Sequence, residues 1–225
     1  SQIATTGSIR PYLQDPLARR LLLIALLNAT PVAVTSTLFL FFVESRLAAP
    51  GWEGPLLLLF FISAAAAAPV WSRLAQRVGT KQALMFGMAL AIAAFAGAAL
   101  LSAGDVLPFV VICIFSGAAL GADMTLLPAL FAARSAEITD EAAEGFGLWS
   151  FVSKFSLAFA AVVLLPFLDA SGFQTSGADQ PQQALLALTL SYAVLPCGLK
   201  LIALLLLAAT PLDAGETTAL TRGTH

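Results

Sequence analysis

Three ionisable side chains, Asp123, Lys154 and Lys200, sit inside long apolar runs of this 225-residue chain. Lys154 lies ten residues beyond Glu144, Lys200 ten before Thr210 and Asp123 eleven before Arg134. At about 1.5 Å of helix rise per residue, all three reach about 15 Å from the edge of an apolar layer about 30 Å thick. A charge at that depth costs about 3 kcal/mol or several times more, so each must face protein or water, and such groups commonly mark ion and solute pathways. An ion pair from Asp123 to Lys154 or to Lys200 would supply a partner.

The surrounding residues give each charge a face. Ser150, Lys154, Ala158 and Ala161 recur at three- and four-residue steps and form a small, polar stripe that turns Lys154 inward. Phe151, Phe155 and Phe159 form a separate stripe suited to lipid or packing. Asp123 shares a face with Ser116 and Ala119, and Pro128 leaves the Met124 carbonyl beside it without its usual donor. Lys200 aligns with Pro196, Cys197 and Ala203 and reads as a helix-pairing charge. Asn28 and Thr35, with Thr37, could hydrogen-bond a polar solute on a pathway shared with Asp123 and Lys154, or join helices as polar glue. Gly117 and Gly121 have the small-xxx-small spacing of a close helix contact.

Other chemistries lack their parts. No Ser/His/Asp set, metal cluster or phosphate-cradling loop can be assembled, so neither an enzyme nor a resident cofactor is expected. The single histidine is the last residue, His225, and Cys113 and Cys197 are isolated within apolar runs. Eleven basic residues scattered singly give no nucleic-acid patch.

The elements that position these groups are membrane helices. The hydrophobic share is 59% and the charged share 11%, with mean hydropathy +0.91, far from the composition of a soluble domain. Six segments are long enough to span, at about 20–43, 55–72, 82–102, 107–132, 146–168 and 183–209, separated by Gly, Pro, Asp and Ser loops. Strands with the alternation of a membrane barrel are absent, which leaves helices. Residues 1–19 read as a lead-in, 20–209 as the bundle and 210–225 as a tail. The lead-in has no secretory signal pattern, and a first residue of serine reads as a processed or truncated product. Arg10, Arg19, Arg20, Arg73, Arg77, Lys81, Arg134 and Arg222 fall on one side of the six-span path and Arg46 on the other, which puts both termini in the cytoplasm. Pro31 and Pro128 interrupt the first span of each set of three, as expected of a repeat built around a cavity.

The motifs then acquire a family likeness. WSRLAQRVGTKQALMFGM, with Arg73, Arg77, Gly79 and Lys81, resembles the loop between the second and third spans of major facilitator transporters, without the acidic residue often found there. Together with GADMTLLPALFAA, FGLWSFVSKFSLAFAA and QQALLALTLSYAVLPCGLK, it resembles the glycoside-pentoside-hexuronide:cation symporters, which include the melibiose carrier. The likeness runs from about Leu13 to Leu212 and corresponds to the carboxy-terminal six helices of twelve. It implies an all-α membrane fold, half of a major facilitator fold with a 3+3 inverted repeat, that moves a sugar or related solute with Na+ or H+ by alternating access. It also implies a bacterial inner membrane and an amino-terminal six-helix half as partner, bringing the principal cation-site carboxylates. Lys154 matches the family's eleventh-span lysine, which belongs to the central polar network. The loop AARSAEITDEAAEG is shorter and poorer in basic residues than the family pattern. A lysolipid carrier and a non-transporting membrane scaffold are the competing readings.

Overall fold

The computed structural model describes residues 10–138, 142–173 and 180–211. Arg222, His225 and most of the expected tail lie outside the described residues, as do parts of the loops that follow the fourth and fifth spans. The elements are α1 (Arg10–Gln14), α2 (Pro16–Phe41), α3 (Glu53–Val78), α4 (Thr80–Ala98), α5 (Val106–Ile138), α6 (Ala142–Ala170), α7 (Gln182–Thr189) and α8 (Leu195–Ala208). A π-helical turn, Phe42–Arg46, extends α2, and another, Leu190–Val194, joins α7 to α8 in a single rod. Six rods are therefore long and apolar enough to cross a membrane, in the expected order.

Their ends are set by local chemistry as well as by hydropathy. The first rod begins at Pro16, before its apolar run, because Asp15 Oδ1 accepts a 2.7 Å hydrogen bond from the Ala18 amide and proline at the first position needs no donor. The second runs on to Val78 and stops at Gly79, whose φ of 96° lies in the region that favours glycine. Only that one residue separates α3 from α4. The third rod stops at Ala98, short of the expected edge near residue 102, where i→i+3 bonds such as Leu100 N to Gly97 O tighten the chain into a turn.

Packing repeats between the two sets of three rods. The main neighbour of α3 is α5 and that of α6 is α2, while α4 lies on α5 and α8 on α2. Each relation in one set has its exchanged counterpart in the other, the geometry of an inverted repeat. Interior prolines follow the same symmetry. Pro31 in α2 and Pro128 in α5 are matched by Pro69 in α3 and Pro166 in α6, and the two pairs are separated by equal steps along the chain.

The α3–α5 contact is close because α5 presents glycine. A Cβ on Gly121 would lie 2.6 Å from Ala64 O, and one on Gly117 would strike Phe60 O. Trp71 Nε1 closes the same interface by donating to Ala118 O at 2.7 Å. Elsewhere α3 and α6 are bare. Only 11% of the most apolar stretch of α3 and 22% of that of α6 is buried, against 50% and 56% for the first and fourth rods.

The two ends of the bundle are tied differently. At one end Phe42 stacks on Tyr192 with ring centroids 4.1 Å apart, and Gly104 N donates to Leu47 O at 2.9 Å. At the other, basic end, the fully buried Tyr12 accepts a hydrogen bond from Ser135 Oγ at 3.0 Å and lies against Phe131. Arg134 there donates through Nη2 to Asp15 Oδ2 at 2.5 Å and through Nε to Oδ1 at 3.2 Å, a bidentate pair that pins the start of α2 to the end of α5. Lys81 Nζ donates to Ala208 O at 3.0 Å and Thr210 O at 2.7 Å and caps the end of α8.

Two expectations follow. Gly121→Leu should lower the unfolding temperature in detergent, since a side chain there must push α5 away from α3 at a cost of about 1–3 kcal/mol; an unchanged melt would refute the close contact. The Arg134 guanidinium, aided by the Ala18 amide, holds the Asp15 carboxyl below its ordinary value against the opposing effect of burial. A depressed folded-state value means that the pair stabilises the protein above the unfolded pKa of about 3.9 and that this gain vanishes as pH falls through the folded value. Arg134→Gln should therefore destabilise the protein at neutral pH and flatten its loss of stability on acidification, whereas an equally steep acid branch would sink the assignment.

Candidate functional site

Asp123 and Lys200 meet. Lys200 Nζ donates to Asp123 Oδ2 and makes the buried ion pair of the bundle, with Asp123 7% and Lys200 4% exposed. The pair joins α5 to α8 across the sequence, and of the two partners open to Asp123 in the sequence the structure selects Lys200. Desolvating two charges costs several kcal/mol per ion, so such a pair holds together only with good geometry and further hydrogen bonds. Here one lone-pair site is left open: Asp123 Oδ1 is buried and has no donor among the described residues.

Asp123 lies between two spaces. One is a small cavity of about 20 Å3, lined by Thr35, Ser116, Cys197 and Lys200 among others, with room for about one water. The other is a cleft of about 500 Å3 between α2, α5 and α6. Asn28, Ser36, Asp123, Trp149 and Ser153 give the cleft its polar lining, and the rest is apolar. Asn28 is 3% exposed, and its Oδ1, like Asp123 Oδ1, has no donor among the described residues. Met124 and Pro128 also line the cleft. A third space, of about 280 Å3, adjoins the first two through Ser36, Thr35 and Ser116 and is walled mainly by Phe39, Phe60, Phe61, Phe95 and Phe109.

Lys154 is not buried. It is exposed on α6, and no hydrogen bond or ion pair holds it among the described residues. The inward orientation expected from its small-residue stripe is corrected for a geometric reason: the buried stripe of α6 is Ser156, Ala160, Leu164 and Leu168, which faces α2, and at about 100° per residue Lys154 is turned about 160° from Ser156 and about 120° from Ala160, the stripe members nearest it in sequence. Phe151, Phe155 and Phe159 lie on the same uncovered side and stack successively at 5.8 and 6.0 Å. Thr35 does not reach the cleft. Its hydroxyl is committed to the carbonyls of Pro31 and Val32, at 3.0 and 3.1 Å, beside the small cavity. Gly117 and Gly121 serve the α3–α5 contact, and Arg73 and Arg77 lie on the surface of α3 at the basic end. Sequence reasoning missed Trp149 and Ser153; their four-residue spacing, continued at Leu157, is the signal that marks the cleft face of α6.

The match that decides the family covers nearly the whole chain: the profile described as MFS/sugar transport protein fits residues 1–214. The chain belongs to the MFS/sugar transport protein family. Its fold is that of one half of a major facilitator protein. The chain superposes with a TM-score of 0.64 and 17% identity on a solved proton:xylose symporter of the major facilitator superfamily, XylE, in complex with 6-bromo-6-deoxy-D-glucose. The alignment covers 91% of this chain and 48% of that one, so the family member described here spans about half the length of its structural neighbour. No curated protein matches the chain by the same kind of comparison. Family membership and six apolar helices make it an integral membrane protein.

Removing Lys200 alone strands a carboxylate in the bundle. Lys200→Met should cost about 3–5 kcal/mol, and Asp123→Asn combined with Lys200→Met should recover most of that loss. Thermal unfolding of the purified variants in detergent checks both; equal destabilisation by the single and double changes would contradict the pairing.

Proposed function

We propose that this chain is the carboxy-terminal half of a cation-coupled sugar symporter of the glycoside-pentoside-hexuronide:cation type. It works with an amino-terminal six-helix half and moves a sugar or related small solute with Na+ or H+ by alternating access. We place it in a bacterial inner membrane with its basic end, and so both termini, in the cytoplasm, in keeping with the bias of lysine and arginine. The observation that carries this reading is the cleft of about 500 Å3 bordered by the sparsely covered α6, with buried acceptors that have no donor among the described residues. A scaffold subunit has no use for partnerless polar atoms at mid-depth, whereas a carrier holds them ready for its solute. The family and the fold shared with a proton:xylose symporter favour a sugar over a lysolipid.

In this reading Lys154 belongs to the face between halves. Its ammonium is uncovered here and sits on a span deep enough that lipid would be a poor neighbour, so a carboxylate of the amino-terminal half is its natural counter-charge. Arrival of the coupling cation at that carboxylate would release the lysine and let the halves move. Lys154→Ala in the complete protein should abolish cation-dependent sugar uptake while leaving membrane insertion intact. Uptake that stays cation-dependent at the original rate would reject this role.

A further inference from the structure

Two buried acceptors of the cleft stand open. Asn28 Oδ1 and Asp123 Oδ1 have no donor among the described residues. Ser153 cannot answer them, because its hydroxyl donates to Trp149 O at 3.2 Å. A buried acceptor left unmade costs about 1–3 kcal/mol, so the folded chain carries that cost until a molecule bearing donors enters. The Asn28 amide N–H, the Ser36 hydroxyl and the Trp149 indole N–H on the same lining can donate, so the cleft suits a molecule that gives hydrogens to the two open acceptors and receives them in turn, as hydroxyl groups do.

Charge then selects the donor. A monovalent cation gains most from a carboxylate whose charge is uncompensated, but Lys200 Nζ already lies on Asp123 Oδ2 and the pair is neutral as a unit. A neutral polyol needs no net charge from its site. Its hydroxyls donate to the two open oxygens, and the apolar face of its ring can rest on an aromatic surface, which Trp149 supplies on the same wall. Lys200 is a positioning residue in this arrangement: it holds Asp123 through Oδ2 and leaves Oδ1 to accept, without touching the solute.

We infer that Asn28 and Asp123 form a hydroxyl-accepting subsite for a neutral sugar ring seated against Trp149, and that Asp123 is not a ligand of the coupling cation. This rests on the carrier reading above. A site built around substrate hydroxyls rejects analogues that lack them much more strongly than an apolar pocket rejects a missing methylene.

The test uses the complete carrier and measures uptake of D-xylose, D-glucose and their singly deoxygenated analogues. Asn28→Leu, and separately Asp123→Leu combined with Lys200→Met, should each raise the sugar KM about tenfold or more. The half-saturating concentration of Na+ or H+, taken at saturating sugar, should stay within about twofold, because the affinities of coupled ligands are linked and only saturation separates them. At least one deoxy analogue that the unaltered carrier disfavours should no longer be disfavoured by the variants. If the double variant fails to reach the membrane, Asn28→Leu, which leaves the ion pair in place, decides the matter alone. An unchanged sugar KM with an altered cation requirement, or no change in either, overturns the subsite while the carrier reading stands. A complete, unaltered carrier that takes up no sugar, with or without the cation, overturns the two together.

Discussion

An apolar layer with no water to share out governs this molecule. Every polar atom at mid-depth must find a partner inside the protein or be held open for a visitor, and the bundle uses both solutions on the same residue. One oxygen of Asp123 is closed by Lys200, and the other is left facing a cleft. The rest of the architecture serves that division. Glycines 117 and 121 let α3 approach α5 closely, and α8 is held by the ion pair at mid-depth and by the Lys81 cap at its end. The remaining lone pairs of the site therefore sit on a framework fixed from two sides.

Much of this was legible before any coordinates. Long apolar runs cannot hide, so the six rods, their order and their helical nature follow from hydropathy, and the three mid-depth charges follow from counting. The Asp123–Lys200 pair was one of two partners allowed by depth. What decides between them is azimuth: Lys154 and Lys200 lie at similar depth, and only the packing of α6 on α2 and of α8 on α2 and α4 turns one out and the other in. Helix ends were read less well, because Asp15 and Gly79 set them by capping and by backbone angle where the hydropathy profile is silent.

The outward placement of Lys154 on this bundle has a physical source. Small residues on a membrane helix suggest a face that packs within the chain, yet small residues serve any close contact, including one with another bundle. On α6 Ser150, Lys154 and Ala158 are exposed and Ala161 is half-buried, while the buried stripe mixes Ser156 and Ala160 with leucines. The same sequence signal thus has two structural meanings, and hydropathy cannot separate them, since a surface that meets protein and one that meets lipid are both apolar. The proline pattern behaves in the opposite way. Pro69 and Pro166 lie in the second span of each set of three, and they gain meaning only when the exchanged packing of the two halves of the repeat is seen.

Gly79 also limits how the bundle can deform. With a single left-handed residue between α3 and α4, the two rods have no slack at their shared end, and tilting one drags the other. The bare surface of α3 therefore has no freedom to rock alone against a neighbouring bundle: it is packed on α5, joined to α4 through one residue, and α4 in turn is tied by Lys81 to the end of the last helix.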